Sequence, residues 1–148
     1  MLFLKQTVLA TALLGTTVVA AATSGPASAE KNQPYRLEQV CGASYHFVNE
    51  LPLVLDGTRQ IGLTILGYSA VTKKNCAVTF KIAKIGTPTY TTVSLRKAGG
   101  PLRTDKGKFA YYAGPVYVTA PGKCVQFGGS VRVKAGVARD LTPFGNCG

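Results

Sequence analysis

From residue 61 onward, apolar side chains recur at every second position in runs of about five residues, each closed by turn formers. Ile61, Leu63 and Ile65 alternate with Gly62, Thr64 and Leu66. Cys76, Val78, Phe80 and Ile82 alternate with Ala77, Thr79 and Lys81, which places the apolar set on one face. Thr91, Val93 and Leu95 repeat the pattern against Thr92, Ser94 and Arg96, as do Val116 and Val118 around Tyr117, and Val131 and Val133 around Arg132. A period of two is the signature of strands whose successive side chains point to opposite faces. Between the runs lie Asp56-Gly57, Gly86-Thr87-Pro88, Gly99-Gly100-Pro101, Asp105-Lys106-Gly107, Pro121-Gly122 and Gly128-Gly129, which read as turns or bulges. Only Leu37 to Val40 suggests a helical turn. The expected fold class is all-β: a small antiparallel β-sandwich or a barrel-like domain.

The first thirty residues follow different rules. Lys5 gives a charged start, Thr7 to Ala22 is a run of Val, Leu, Ala, Gly and Thr, and Ala27-Ser28-Ala29 stands before Glu30. A positive end, an apolar middle and a small-x-small close are the parts of a secretory signal, with cleavage expected between Ala29 and Glu30. The apolar run is shorter than the roughly 20 residues that span a bilayer, and no stop-transfer pattern follows it. Without an Arg-Arg pair, the general export route is expected rather than the twin-arginine one. The organisation is therefore a signal over 1–29 and a single secreted β domain over 30–148, with residues 30–36 a loose leader.

Export changes the meaning of the cysteines. Cys41, Cys76, Cys124 and Cys147 all lie beyond the expected cut. An even number in an oxidising compartment reads as two disulfides, for which sequence allows three pairings. Spacing weakly favours Cys41 with Cys76 and Cys124 with Cys147, which would tie each half of the domain to itself. Close C-x-x-C pairs, the usual mark of a zinc site, are missing.

The chain is strongly basic, with a formal net charge of +11. Its lysines and arginines are spread along the whole sequence, which suits a solvated surface; the sharper reading is adhesion to anionic cell-wall or spore-surface polymers.

Sites of catalysis are looked for with little return. His46 is the single imidazole, and no Gly-x-Ser-x-Gly elbow accompanies it. In an alternating strand His46 would face away from Tyr45 and Phe47, as a surface or edge residue. Glu30, Glu38, Glu50, Asp56, Asp105 and Asp140 are scattered and form no carboxylate pair of the glycosidase kind. No metal-ligand cluster or phosphate-cradling glycine motif occurs, so neither cofactor nor metal is expected. Phe109, Tyr111, Tyr112, Tyr117 and Phe127 stand near Lys108, Lys123 and Arg132, an interleaving that can serve stacking on single-stranded nucleic acid or sugars, but no nucleic-acid motif is present and core packing explains it.

The cysteine-bearing runs, taken in order, carry a resemblance. They are Cys41-Gly42-Ala43-Ser44-Tyr45, Lys74-Asn75-Cys76-Ala77-Val78-Thr79, Tyr112-Ala113-Gly114-Pro115-Val116-Tyr117-Val118, Lys123-Cys124-Val125-Gln126-Phe127-Gly128-Gly129 and Asn146-Cys147-Gly148. Over roughly Tyr35 to Gly148 the chain resembles the spore-associated protein A family of filamentous, spore-forming actinobacteria. The resemblance implies a small exported protein found with spores or aerial growth, and it brings no catalytic residue or ligand. Members often carry Asp-Trp where this chain has Gln126-Phe127, and are commonly less basic. The expected function is that of a secreted, non-enzymatic protein released from or associated with the cell or spore surface. The alternative is a secreted inhibitor of a peptidase or other hydrolase, presenting Thr72-Lys73-Lys74-Asn75 or Leu102-Arg103-Thr104 as a constrained loop.

Overall fold

The computed structural model describes residues 34–148; the signal segment, the cut between Ala29 and Glu30 and residues 30–33 of the leader lie outside the described residues. One short helix, α1 (Leu37–Cys41), precedes eight strands: β1 (His46–Leu55), β2 (Arg59–Ser69), β3 (Lys74–Lys81), β4 (Thr89–Lys97), β5 (Arg103–Phe109), β6 (Tyr112–Thr119), β7 (Val125–Val133) and β8 (Gly136–Leu141). The strands form two four-stranded sheets, ordered β1-β2-β3-β6 and β5-β4-β7-β8. Every pairing is antiparallel. The fold is a β-sandwich of two open sheets, not a closed barrel.

The turn chemistry explains much of this path. Asp56 and Gly57 both take positive φ (54° and 70°) and close the β1–β2 hairpin, as Asp-Gly pairs do. Gly86-Thr87-Pro88, Gly99-Gly100-Pro101 and Pro121-Gly122 connect β3 to β4, β4 to β5 and β6 to β7. The other two expected turns lie inside strands. Asp105-Lys106-Gly107 is the middle of β5, an edge strand, where the Asp105 carboxylate accepts a hydrogen bond from Gly114 N at 2.8 Å. Gly128-Gly129 is the middle of β7. A Cβ on Gly129 would strike the hydroxyls of Thr79 and Thr64, which bond each other at 2.8 Å between the sheets. Glycine is needed here for close approach, not for a bend.

The inner core brings Leu66, Ala77, Val116 and Val118 of the first sheet against Val93, Leu95, Val125 and Phe127 of the second. A second cluster lies outside the first sheet. Leu63, Ile65, Cys76, Val78 and Phe80 point away from the sandwich and are roofed by Leu37, Cys41 and Tyr45. The alternation along β3 thus does put its apolar set on one face, but that face is the roofed outer one; Ala77, Thr79 and Lys81 face inward. Lys81 is fully buried. Its Nζ donates to the carbonyl oxygens of Lys84 (2.9 Å), Phe109 (3.1 Å) and Thr87. Burial pushes its pKa below the ordinary lysine value, while the three carbonyls replace part of the lost hydration.

Candidate functional site

The outer face of the second sheet is built from the positions opposite its core residues. Cross-strand register sets Tyr90 beside Lys108, Thr92 beside Lys106, and Ser94 beside Thr104. On the other side it sets Thr92 beside Ser130 and Arg96 beside Gln126, and then Ser130 beside Arg139 and Arg132 beside Val137. Paired residues share a face, so Arg96, Lys106, Lys108, Arg132 and Arg139 all project from this one. No Asp or Glu occupies these outward positions.

Local contacts hold the face in place. Thr92 and Ser130 hydroxyls bond at 2.8 Å, and Arg96 Nε donates to Gln126 Oε1 at 2.7 Å. The Arg96 guanidinium lies 5.1 Å from the centre of the Phe144 ring, and that of Arg132 lies 5.9 Å from the Tyr90 ring, positions that hold a cation over an aromatic face and leave its edge in water. Lys106, Lys108, Arg132 and Arg139 are exposed. Same-face neighbours along a strand stand about 6.6–6.8 Å apart and adjacent strands about 4.8 Å apart, so the cations form a grid. Such a grid attracts an extended polyanion.

The residues singled out from the sequence are dispersed. Disulfides join Cys41 to Cys76, pinning α1 to β3, and Cys124 to Cys147, pinning the C-terminal segment to the β6–β7 connection. His46 is exposed at the start of the edge strand β1. Tyr45 beside it is buried and Phe47 is exposed, and a bulge between Phe47 and Asn49 interrupts the alternation farther along β1. Asp140 accepts from Leu141 N at 2.8 Å. The carboxylate oxygen Oε2 of Glu50 is buried without a partner among the described residues. No group of three or more His, Cys, Asp and Glu that could hold a metal ion occurs among the described residues, and no described helix is long and apolar enough to cross a membrane.

The aromatic residues are chiefly packing. Phe127 is fully buried, and Phe109 packs against the inner core. Tyr35 meets the rings of Tyr111 and Tyr112 edge-on, and Tyr112 leans on Phe80. Tyr117 packs on Tyr45 and donates its hydroxyl to the carbonyl of Cys41 at 2.8 Å. Burial raises the Tyr117 pKa, with the neighbouring Tyr45 adding to it. Of the two loops considered for inhibition, Thr72 is tied by its hydroxyl to Tyr45 Oη at 3.0 Å and by its N–H to Ser69 Oγ at 3.2 Å, while Leu102, Arg103 and Thr104 are exposed. The amino-acid sequence does not disclose the grid on the second sheet, because its members come from four strands. The alternation around Arg96 and Arg132 hinted at an outward basic face, but register alone assembles it.

Comparison with known proteins gives one curated relative at good significance. The chain is 39% identical over 115 residues to spore-associated protein A of Streptomyces coelicolor, a match that covers 77% of this chain and 70% of that protein. No family model matches the chain, and no solved structure matches it.

Proposed function

This chain belongs to the spore-associated protein A family, and from that premise we propose that it is exported, cleaved between Ala29 and Glu30, and held at the cell or spore surface without catalysis, by attraction to anionic polymers. The relative's name associates it with spores; carried over to this chain, that name supports a surface location, and the basic face supports attraction to anionic polymers as the means. One observation carries the reading: the outer face of the second sheet has no described helix over it, presents Arg96 and the exposed Lys106, Lys108, Arg132 and Arg139, and has no acidic residue at its outward positions. Attraction of this kind is screened over roughly 8–10 Å at ordinary ionic strength, so adhesion is firm at low salt and reversible.

The test uses disulfide-intact protein recovered from culture medium and incubated with isolated cell walls and with spores across a salt series. Retention at low salt and release at high salt are expected, with retention lost in a Lys106→Glu, Lys108→Glu, Arg132→Glu variant. Equal retention of that variant would move the attachment elsewhere, and no retention of either protein would end the proposal. Intact mass measurement of the same sample, before and after reduction, reads the cut and the bridges together.

A second reading, inhibition of a peptidase, draws on the β2–β3 turn. Val71 is 81% exposed at its tip, and the turn is braced by the Thr72 hydrogen bonds and the Cys41–Cys76 bridge nearby. A restrained loop loses little entropy on binding. Trypsin-like and subtilisin-like proteases that stay fully active at a molar excess of the protein would dismiss it.

A further inference from the structure

We propose that the end of the sandwich beside Asn75 is a binding pocket for an acetamido group, of the kind an N-acetylated sugar carries. A recess of about 250 Å³ lies there, lined by Val48, Tyr68, Asn75, Ala120 and Pro121, with the C-terminal segment 146–148 along one side. It is separate from the basic face. Asn75 sits on the central strand β3, between Tyr68 of β2 and Val118 of β6, and shares the inward orientation of Ala77 and Thr79.

Asn75 is the reason to read this recess as a site. It is only 7% exposed, yet its carboxamide makes no hydrogen bond to any described residue and lines the recess. Its polar atoms are not among the fully buried, unpartnered ones, so they open into the recess and are free to bond a group placed there. A primary amide presents a donor and an acceptor side by side, and its natural complement is a second amide, whose carbonyl accepts and whose N–H donates.

The remaining walls narrow the ligand further. No charged side chain lines the recess, so no side chain there is placed to pair with a charged ligand. Val48, Ala120 and Pro121 offer an apolar wall for a methyl group, and Tyr68, 37% exposed at the rim, offers a ring face to a sugar. The volume is below the roughly 300–1,000 Å³ of pockets for drug-sized ligands, which suits one small group and not a long segment. A peptide strand is disfavoured because β1, the adjacent edge, carries a bulge at Val48 and has Pro52 within it, features that spoil strand addition. The side formed by 146–148 is set in advance: Cys147 is bridged to Cys124, Gly145 pairs with Val125, and Asn49 Nδ2 donates to Asn146 Oδ1 at 3.3 Å. A preformed site loses little on ordering.

The experiment is a titration of the disulfide-intact protein, labelled with nitrogen-15, with N-acetylglucosamine, glucose and an N-acetylated dipeptide amide. Expected are movement of the side-chain amide signals of Asn75 and Asn146 with N-acetylglucosamine and none with glucose. The response should persist at 1 M salt, where adhesion through the basic face is lost, so the two proposals fail separately. Asn75→Leu should keep the fold, read from its melting temperature, while weakening binding at least about tenfold, the equivalent of two hydrogen bonds. Tyr68→Ala, at a partly exposed position, should weaken it several-fold. No movement at Asn75 with millimolar N-acetylglucosamine, an equal response to glucose, or a response to the dipeptide amide alone would each overturn the proposal.

Discussion

The two outer faces of this sandwich are made by the same strand geometry and end in opposite states. Outside the first sheet, Leu63, Ile65, Val78 and Phe80 form an apolar surface that cannot be left in water, and α1 covers it, bridged to β3 through Cys41 and Cys76. Outside the second sheet, threonines, serines, lysines and arginines occupy most of the equivalent positions and no described helix covers them, only the Phe144 ring lying over Arg96. An antiparallel sheet tolerates solvent on one face. The first sheet is the exception, buried on both sides, and so β2 is buried from Ile61 to Gly67 without a break. The contrast assigns stability to the roofed face and leaves the bare one free to vary in charge without loss of the fold.

The strongest way to break this contrast is to cut the roof loose. Cys41→Ser with Cys76→Ser should cost about 3–4 kcal/mol by the loop-entropy account, measured by urea unfolding of the oxidised proteins. A loss below about 1 kcal/mol would mean that apolar burial alone holds α1 in place. Next in size, Leu37→Ala, which empties a site 2% exposed, should cost about 3 kcal/mol, whereas Val137→Ala on the bare face should stay within about 0.5 kcal/mol.

Tyr117→Phe comes third, at about 1 kcal/mol, because it removes the hydrogen bond to the Cys41 carbonyl. It also carries a pH signature. The folded pKa of Tyr117 lies above the ordinary phenol value of 10.0, so above pH 10 the unfolded chain gives up that proton first. The stabilisation is complete below pH 10 and declines as pH rises through the folded pKa. The Phe variant should lose that part of the alkaline decline, read from unfolding midpoints across the alkaline range. Smallest of all, Lys106→Glu with Lys108→Glu should shift stability by no more than about 0.5 kcal/mol, since neither side chain is buried. A large destabilisation there would make the basic face structural and weaken its claim as an adhesive surface.

Much of the fold was legible because period-two alternation and turn chemistry are local properties. The strands around Val93, Val118 and Val131 lie where their alternation predicts them, and Asp56-Gly57 makes its hairpin. Three features were not legible, for non-local reasons. The alternation along β3 leaves the surroundings of Lys81 open, and they are carbonyls contributed by Lys84, Thr87 and Phe109. Gly128-Gly129 looks like a turn, but the hydroxyls it accommodates belong to Thr64 and Thr79 of the opposite sheet. Asp105-Lys106-Gly107 looks like a turn, but the partner of Asp105 is Gly114 N, across the sandwich. Neither candidate site was legible, since each is assembled from separate strands.

What the amino-acid order determined by itself is the all-β character, the positions of most strands and the family likeness, because propensity and periodicity act between residues a few places apart. Tertiary structure decided which face of each strand is the interior, which cysteines meet, and how scattered cations and a lone amide come to line surfaces. Those are questions of register and sheet packing, and a pattern of period two is the same read from either side of the strand.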